Sequence, residues 1–240
     1  MDAALPEEII DWLLLQNKKA KDNLVIKSGQ EVGPLYHIDK NKPAKFFPQM
    51  PRSAAASEDN TIARVTVAET LIGCLMGYAR IERDFHYRKE YSKGKDPFKG
   101  GYVISEIDYQ YCGIPNIKLV YDADLTGEKW LFTYSKETLQ FIPREIGKVF
   151  VTKLEYIGNS DDPTLNVTCY ADIQKEAGML LTSDLKLAHG YWKIQFSEFG
   201  KHAFNTSKNL VVKKVSASEY EDAKKLNAAL LSNAPMFVNW

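Results

Sequence analysis

The sequence is poor in the residues that most often brace a fold covalently or hold a metal. Among 240 residues there are three cysteines (Cys74, Cys112 and Cys169) and four histidines (His37, His86, His189 and His202). An odd set of widely spaced cysteines without a CxxC pair excludes a disulfide framework, and each thiol is expected as a small core residue in a reducing cytoplasm. No histidine has another at i+3 or i+4, so metal-ligand spacing is missing and no metal site is expected. The P-loop, the GxGxxG turn, the HExxH helix and the GxSxG elbow are also missing, which removes several common enzyme classes. Charge of one sign is lacking too, since Lys+Arg and Asp+Glu both total 31. Net charge therefore points to neither nucleic acid nor membrane, although a local patch can still steer a partner. No apolar run approaches the ~20 residues of a membrane span. The stretch from Ile9 to Leu15 is short, is interrupted by Asp11 and follows Glu7 and Glu8, unlike a signal peptide. A cytoplasmic protein without membrane contact is the expectation.

What is present is an ordinary globular composition, 45% hydrophobic and 26% charged, on a chain long enough for a substantial core. Residues 6–22 predict an amphipathic helix, with Pro6 in its first turn, Glu7 and Glu8 at its positive end and Lys18, Lys19 and Lys21 at the other. Ile9, Ile10, Trp12 and Leu13 would form its apolar stripe. A first strand follows at Leu35–Ile38, then a long loop over 39–62 of the kind that often serves as a binding segment or lid. Arg64–Val67 reads as a second strand. Leu71, Cys74, Leu75 and Tyr78 then fall on one face of a short helix. The stretch from Arg80 to Gly101 is locally basic and reads as an exposed connection. Beyond it come aromatic and β-branched runs expected as strands at 102–107, 118–121, 129–134, 149–154, 165–170 and 191–196. Ser218 is expected to cap a closing helix running to Leu231. The fold class is α+β, with mixed or antiparallel sheets of short strands between an N-terminal and a C-terminal helix. A region 1–156 and a β-rich extension 157–240 are separated by a turn-rich stretch at 157–163, which serves equally well as a loop within one domain.

Several side chains carry candidate chemistry. Tyr36 and His37 point to opposite faces of their strand, so only one of them can line a cleft. His37 either donates a ring N–H to a ligand hydroxyl or is satisfied by a backbone group in the core. Arg64 either holds a carboxylate or diphosphate bidentately or clamps Glu58 or Asp59. Thr66 is a small polar residue between two valines. Glu128 follows Thr126-Gly127 and precedes Lys129-Trp130, a setting suited to supporting a developing positive charge, and equally to plain exposure.

Together these segments resemble the ADP-ribosyltransferase family, in the histidine–tyrosine–glutamate branch that includes the poly(ADP-ribose) polymerases and diphtheria-toxin-like enzymes. Leu35-Tyr36-His37 is similar to the family's "Leu-Tyr/Trp-His-Gly" strand, with Ile38 in place of the glycine. Ala63 to Ala68, followed by the helix to Tyr78, resembles the "Gly-Ile-Tyr-Phe-Ala" block, with Thr66 in place of its first tyrosine. Glu128-Lys129-Trp130 is similar to the later strand that opens on Glu. The resemblance covers roughly residues 34–135 and implies an ADP-ribosyltransferase-like core with NAD as substrate and no metal. It implies that His37 bonds the NAD ribose or carboxamide, that Tyr78 stacks on nicotinamide, and that Glu128 binds the ribose 2′-hydroxyl and supports the oxocarbenium-like transition state. Tyr36, Arg64 and Thr66 would complete the NAD site, with His37 and Glu128 catalytic. ADP-ribose would pass to a macromolecular acceptor, protein or nucleic acid.

The alternative from another class is a non-catalytic interaction or inhibitor protein, such as an immunity or phage accessory protein. The 39–62 loop, the aromatic strands and the terminal helix would then be contact surfaces. A nucleic-acid-binding module is a third reading, resting on the basic, aromatic stretch between Arg80 and Lys99.

Overall fold

The computed structural model describes residues 7–16, 22–40, 43–51, 59–77, 101–120, 123–134, 139–157, 164–174, 178–199 and 210–232. Its elements are mostly strands with few helices, and the strand pairings given below are antiparallel, an α+β arrangement dominated by β structure. Among the described residues no helix is long and apolar enough to cross a membrane. The chain divides into two compact units. The described residues of Met1–His37, Lys42–Gly77 and Ser105–Glu145 form the first, and those of Ile38–Asn41, Tyr78–Ile104 and Ile146–Trp240 the second.

The first unit begins with helix α1 (Glu7–Gln16), within the expected 6–22, of which residues 6 and 17–21 lie outside the described residues. Strand β1 (Leu24–Ser28), which the sequence reading missed, is followed at once by a helical turn, α2 (Gly29–Val32). The switch from strand to helix is made by Ser28 and Glu31. The Glu31 carboxylate accepts 2.8 Å bonds from the backbone N–H and the hydroxyl of Ser28, which lowers its pKa. Strand β2 (Leu35–Asp39), strand β3 (Arg64–Ala68) and helix α3 (Leu71–Gly77) lie close to their expected positions. Leu71, Cys74 and Leu75 are buried as the spacing predicts, and Tyr78 lies outside the described residues.

Strand β4 (Tyr102–Ile107) agrees with the expected 102–107, and its residues divide between the units. The strand expected at 118–121 is instead β5 (Tyr111–Pro115). Asn116 ends it: its side-chain oxygen accepts the N–H of Lys118 and its backbone carbonyl accepts those of Leu119 and Val120. This local turn outcompetes an extended ladder and delivers Leu119 and Val120 to the core. Helix α4 (Ala123–Thr126) and strand β6 (Glu128–Phe132) complete the set.

The strand order in this unit is β1-β5-β6-β3-β2, with β2 belonging to it as far as His37. On one face Ile9, Leu24, Ile62, Leu119, Trp130 and Phe132 pack together, with Trp12 of α1 stacked on Phe132 at 6.2 Å. On the other face Leu35, Val65, Val67, Ile107, Cys112, Leu131 and Phe141 form a second cluster. Burial on both faces is why β6 reads as a continuous buried run and not as an alternating one. Part of the 39–62 loop is a strap over 43–51, clipped by reciprocal backbone bonds of Phe46 with Phe141 and of Gln49 with Arg64.

The second unit contains β7 (Pro143–Ile157, from Ile146 onward), β8 (Thr164–Ile173), β11 (Gly190–Phe199) and β12 (Leu210–Val215), in the order β7-β8-β11-β12. A small hairpin, β9 (Met179–Leu180) with β10 (Lys186–Leu187), branches off between β8 and β11. Apart from Ile157, the turn-rich stretch at 157–163 lies outside the described residues. Helix α5 (Ala217–Ser232) covers one end of one face, where Tyr220 meets Phe150 edge-on at 5.3 Å and Tyr191 at 4.7 Å. The cap of α5 is Ser216 rather than Ser218, since its hydroxyl accepts the N–H of Glu219 at 3.1 Å.

Gly147 lies where β7 presses closest on β8, and a Cβ there would sit 2.3 Å from the Asp172 carbonyl oxygen. Gly147→Ala is expected to cost about 1–3 kcal/mol in urea-unfolding free energy, whereas Ser216→Ala costs about 1 kcal/mol. Equal small losses for both would contradict the packing described.

Candidate functional site

The register of the first unit decides which candidate side chains share a face. Tyr36 pairs with Ala68, and Ala68 pairs with Glu128. Thr66 pairs with Trp130, and Arg64 with Phe132. Paired residues of neighbouring strands project to the same side and successive residues alternate, so Tyr36, Arg64, Thr66 and Glu128 share one face. His37 faces the other side, where its ring meets Phe46 edge-on at 4.7 Å. The structure thus gathers Glu128 with Tyr36, Thr66 and Arg64 and separates it from His37.

Each of these residues has structural partners. His37 Nδ1 lies 2.7 Å from the carbonyl oxygen of Thr66, the backbone satisfaction weighed above. Tyr36 is buried, and its carbonyl accepts the Sγ–H of Cys74 at 3.2 Å. The Arg64 guanidinium lies 3.9 Å above the Trp130 ring. Its Nη1 donates to the Asp59 carbonyl at 2.9 Å and lies 3.8 Å from the Asp59 carboxylate, with both side chains almost fully enclosed. Asp59 also accepts the N–H groups of Thr61 and Ile62 at 3.0 Å, a turn closed by its own side chain. Of the two readings of Arg64, the geometry displays the clamp on Asp59.

Glu128 is set by the turn before it. Gly127, at φ +63, takes the left-handed conformation that ends α4, and its N–H bonds Ala123 at 2.9 Å. The Thr126 hydroxyl accepts the Glu128 N–H at 3.3 Å. The Glu128 carboxylate is only 8% exposed and accepts the indole N–H of Trp130 at 2.6 Å.

The sequence reading missed a second polar group, on the His37 side of the sheet. Lys129, 7% exposed, places Nζ 3.0 Å from both the Glu69 carboxylate and the Gly127 carbonyl. Burial pushes the Cys112 thiol up to about 12, against a smaller opposing pull from Lys129. Burial raises the Tyr109 phenol too, and its hydroxyl donates to the Gly33 carbonyl. A lysine beside a tryptophan in an apolar strand is the only trace of this pair that the sequence carries. Among the described residues no group of His, Cys, Asp and Glu could hold a metal ion.

Comparison of the chain with protein-family models, with curated proteins and with solved structures gives no match in any of the three. Function is therefore read from the site geometry alone. That geometry is an Arg–Trp–Glu stack closed by Asp59 on one face and a Lys–Glu pair with an inert thiol on the other.

Arg64→Leu leaves the enclosed Asp59 carboxylate without its cation and removes the stack on Trp130. A loss of about 3–5 kcal/mol is expected in chemical denaturation, and Arg64→Lys does not restore it because a compact ammonium cannot stack on the Trp130 ring while it reaches Asp59. A loss below 1 kcal/mol would contradict a structural clamp. The Cys74 and Cys169 thiols are pushed up to about 12 by burial, as Cys112 is. At pH 8 all three are expected to resist a disulfide reagent in the native protein and to react together on unfolding.

Proposed function

We propose that this chain is a non-catalytic interaction protein, and that the strap over 43–51 is one surface through which it holds a protein partner. The observation that carries the reading is the opposed placement of His37 and Glu128, each bonded within the fold. Histidine–glutamate chemistry on NAD requires both side chains to reach one bound dinucleotide, and alternate faces of a buried sheet do not provide that. Glu128 bonded to Trp130, and His37 bonded to the Thr66 carbonyl, have the character of core polar groups that specify packing.

The strap supports the positive half of the proposal. Phe46 and Phe141 turn inward, and Phe47 (44% exposed), Met50 (46% exposed) and Ile142 (60% exposed) stand at the surface. Large apolar groups held on a clipped, proline-flanked backbone lose little entropy on binding, as a contact surface requires.

The competing reading is ADP-ribosyl transfer from NAD to a macromolecular acceptor, and one experiment separates the two. Millimolar NAD is expected to leave the melting temperature unchanged, and nicotinamide release is expected to be the same for the wild type and Glu128→Gln. That variant should instead lose about 1–3 kcal/mol of stability by weakening the buried indole bond. An NAD-dependent rise in melting temperature, with nicotinamide release that Glu128→Gln abolishes, would overturn the proposal in favour of the transferase.

A further inference from the structure

Among the described residues, helix α5 covers only part of its own sheet face. The cross-strand rows of the second unit run Tyr170–Lys193–Lys213 and Thr168–Gln195–Val211, and Lys153 pairs with Thr168 at the β7 end. Pairing places these residues on the side that carries Tyr170, the ring that stacks on Phe150 beneath α5. Lys153, Gln195 and Lys213 are exposed, and Lys193 and Thr168 are half-buried. The three lysines span β7 to β12, about 14 Å at the usual strand spacing. Gln195 and Thr168 bond each other between them, at 3.4 Å.

The carboxylates that the described side chains bring to this face gather at its helix end. Asp172 lies in the next row beside Tyr191, and burial raises its pKa. Glu219 of α5 stands 3.9 Å from Lys213. Lys193 and Lys213 thus stand at the margin of the helix, Lys193 over the Tyr170 ring at 5.9 Å, and beyond them the described side chains of these rows bring Lys153 with the amide and hydroxyl of Gln195 and Thr168. Val211 is the one exposed large hydrophobic in these rows, too little apolar surface to seat in a bilayer.

We propose that this open face of β7, β8, β11 and β12 binds the sugar–phosphate backbone of a nucleic-acid strand. Lys193 and Lys213 supply the charge, Lys153 extends it, and Gln195 and Thr168 offer hydrogen bonds to phosphate or ribose. The rows present no exposed aromatic ring for base stacking among the described side chains. Binding is therefore governed by charge and salt and is indifferent to sequence. The proposal goes beyond the interaction-protein reading and does not depend on it, because it uses neither the strap nor any residue of the NAD hypothesis.

The test is fluorescence anisotropy of labelled oligouridylate with the full chain across a salt series, with the Lys193→Gln/Lys213→Gln double variant beside the wild type. The wild type is expected to bind at low salt, with a linear fall of log K against log salt. The double variant is expected to lower the magnitude of that slope by about 1.4, two phosphate contacts at ~0.7 each. Lys193→Arg/Lys213→Arg keeps the charge and is expected to keep the slope, which separates lost contacts from lost folding. Lys224→Gln/Lys225→Gln, on α5, leaves binding unchanged. No binding at low salt overturns the proposal. So does an unchanged slope in the glutamine double variant, or a variant-sensitive affinity for phosphatidylserine vesicles without any for the oligonucleotide.

Discussion

The first unit is organised around an arginine that the sheet encloses. A guanidinium taken from water costs several kcal/mol unless it is paired and hydrogen-bonded. Here Asp59 supplies the charge, the Asp59 and Ile62 carbonyls accept from Nη1, and the Trp130 ring lies beneath. Each of those partners is tied down in turn. Trp130 is fixed by the Glu128 carboxylate, and Asp59 closes the turn that delivers Ile62 to the core while its N–H bonds Leu119. Arg64 also opens β3, and its backbone pairs with Gln49 of the strap. One residue thus couples four segments: its side chain joins the loop entering β3, the turn after β5 and the central strand β6, and its backbone joins the strap.

That coupling explains why Arg64 and Glu128 look like a binding site in the sequence and behave as architecture in the fold. A polar residue inside an apolar strand run has two common causes, a ligand or a buried partner. The two give the same local pattern. Glu128 two residues from a tryptophan on the same strand places carboxylate and indole on one face, where they can bond each other. The Thr126-Gly127 turn that presents Glu128 would serve a ligand equally well, so its presence does not separate the cases.

The second unit follows a different rule. Among its described residues it has one helix, which covers part of a sheet face, and the sequence handles the rest of that face with lysines and small polar groups. Tyr170, Tyr191 and Val215 sit under α5, whereas Gln195, Lys193 and Lys213 lie further along the same strands. Lysines on the last strand also blunt an edge that would otherwise add strands from another chain. A charged open face is thus compatible with keeping the protein monodisperse and with holding a polyanion.

Local signals in the sequence established much of this. Runs rich in β-branched and aromatic residues located β2, β3, β4, β6, β7, β8 and β11, the apolar spacing located α3, and the sparse, separated cysteines predicted three buried thiols. The elements that the local pattern does not mark have two physical causes. β1 and β12 are short runs, LVIKS and LVVKKV, whose strand character comes from a partner strand and not from their own pattern. The run at 118–121 has β propensity, but the Asn116 side chain and carbonyl captured its backbone first. Alternation along β2 was enough to show that Tyr36 and His37 diverge. It could not show which of them shares a face with Glu128, because that depends on the pairings Tyr36–Ala68 and Ala68–Glu128 across three strands distant in sequence. Side-chain period is a property of one strand, whereas register is a property of pairs, and only the folded sheet contains the pairs.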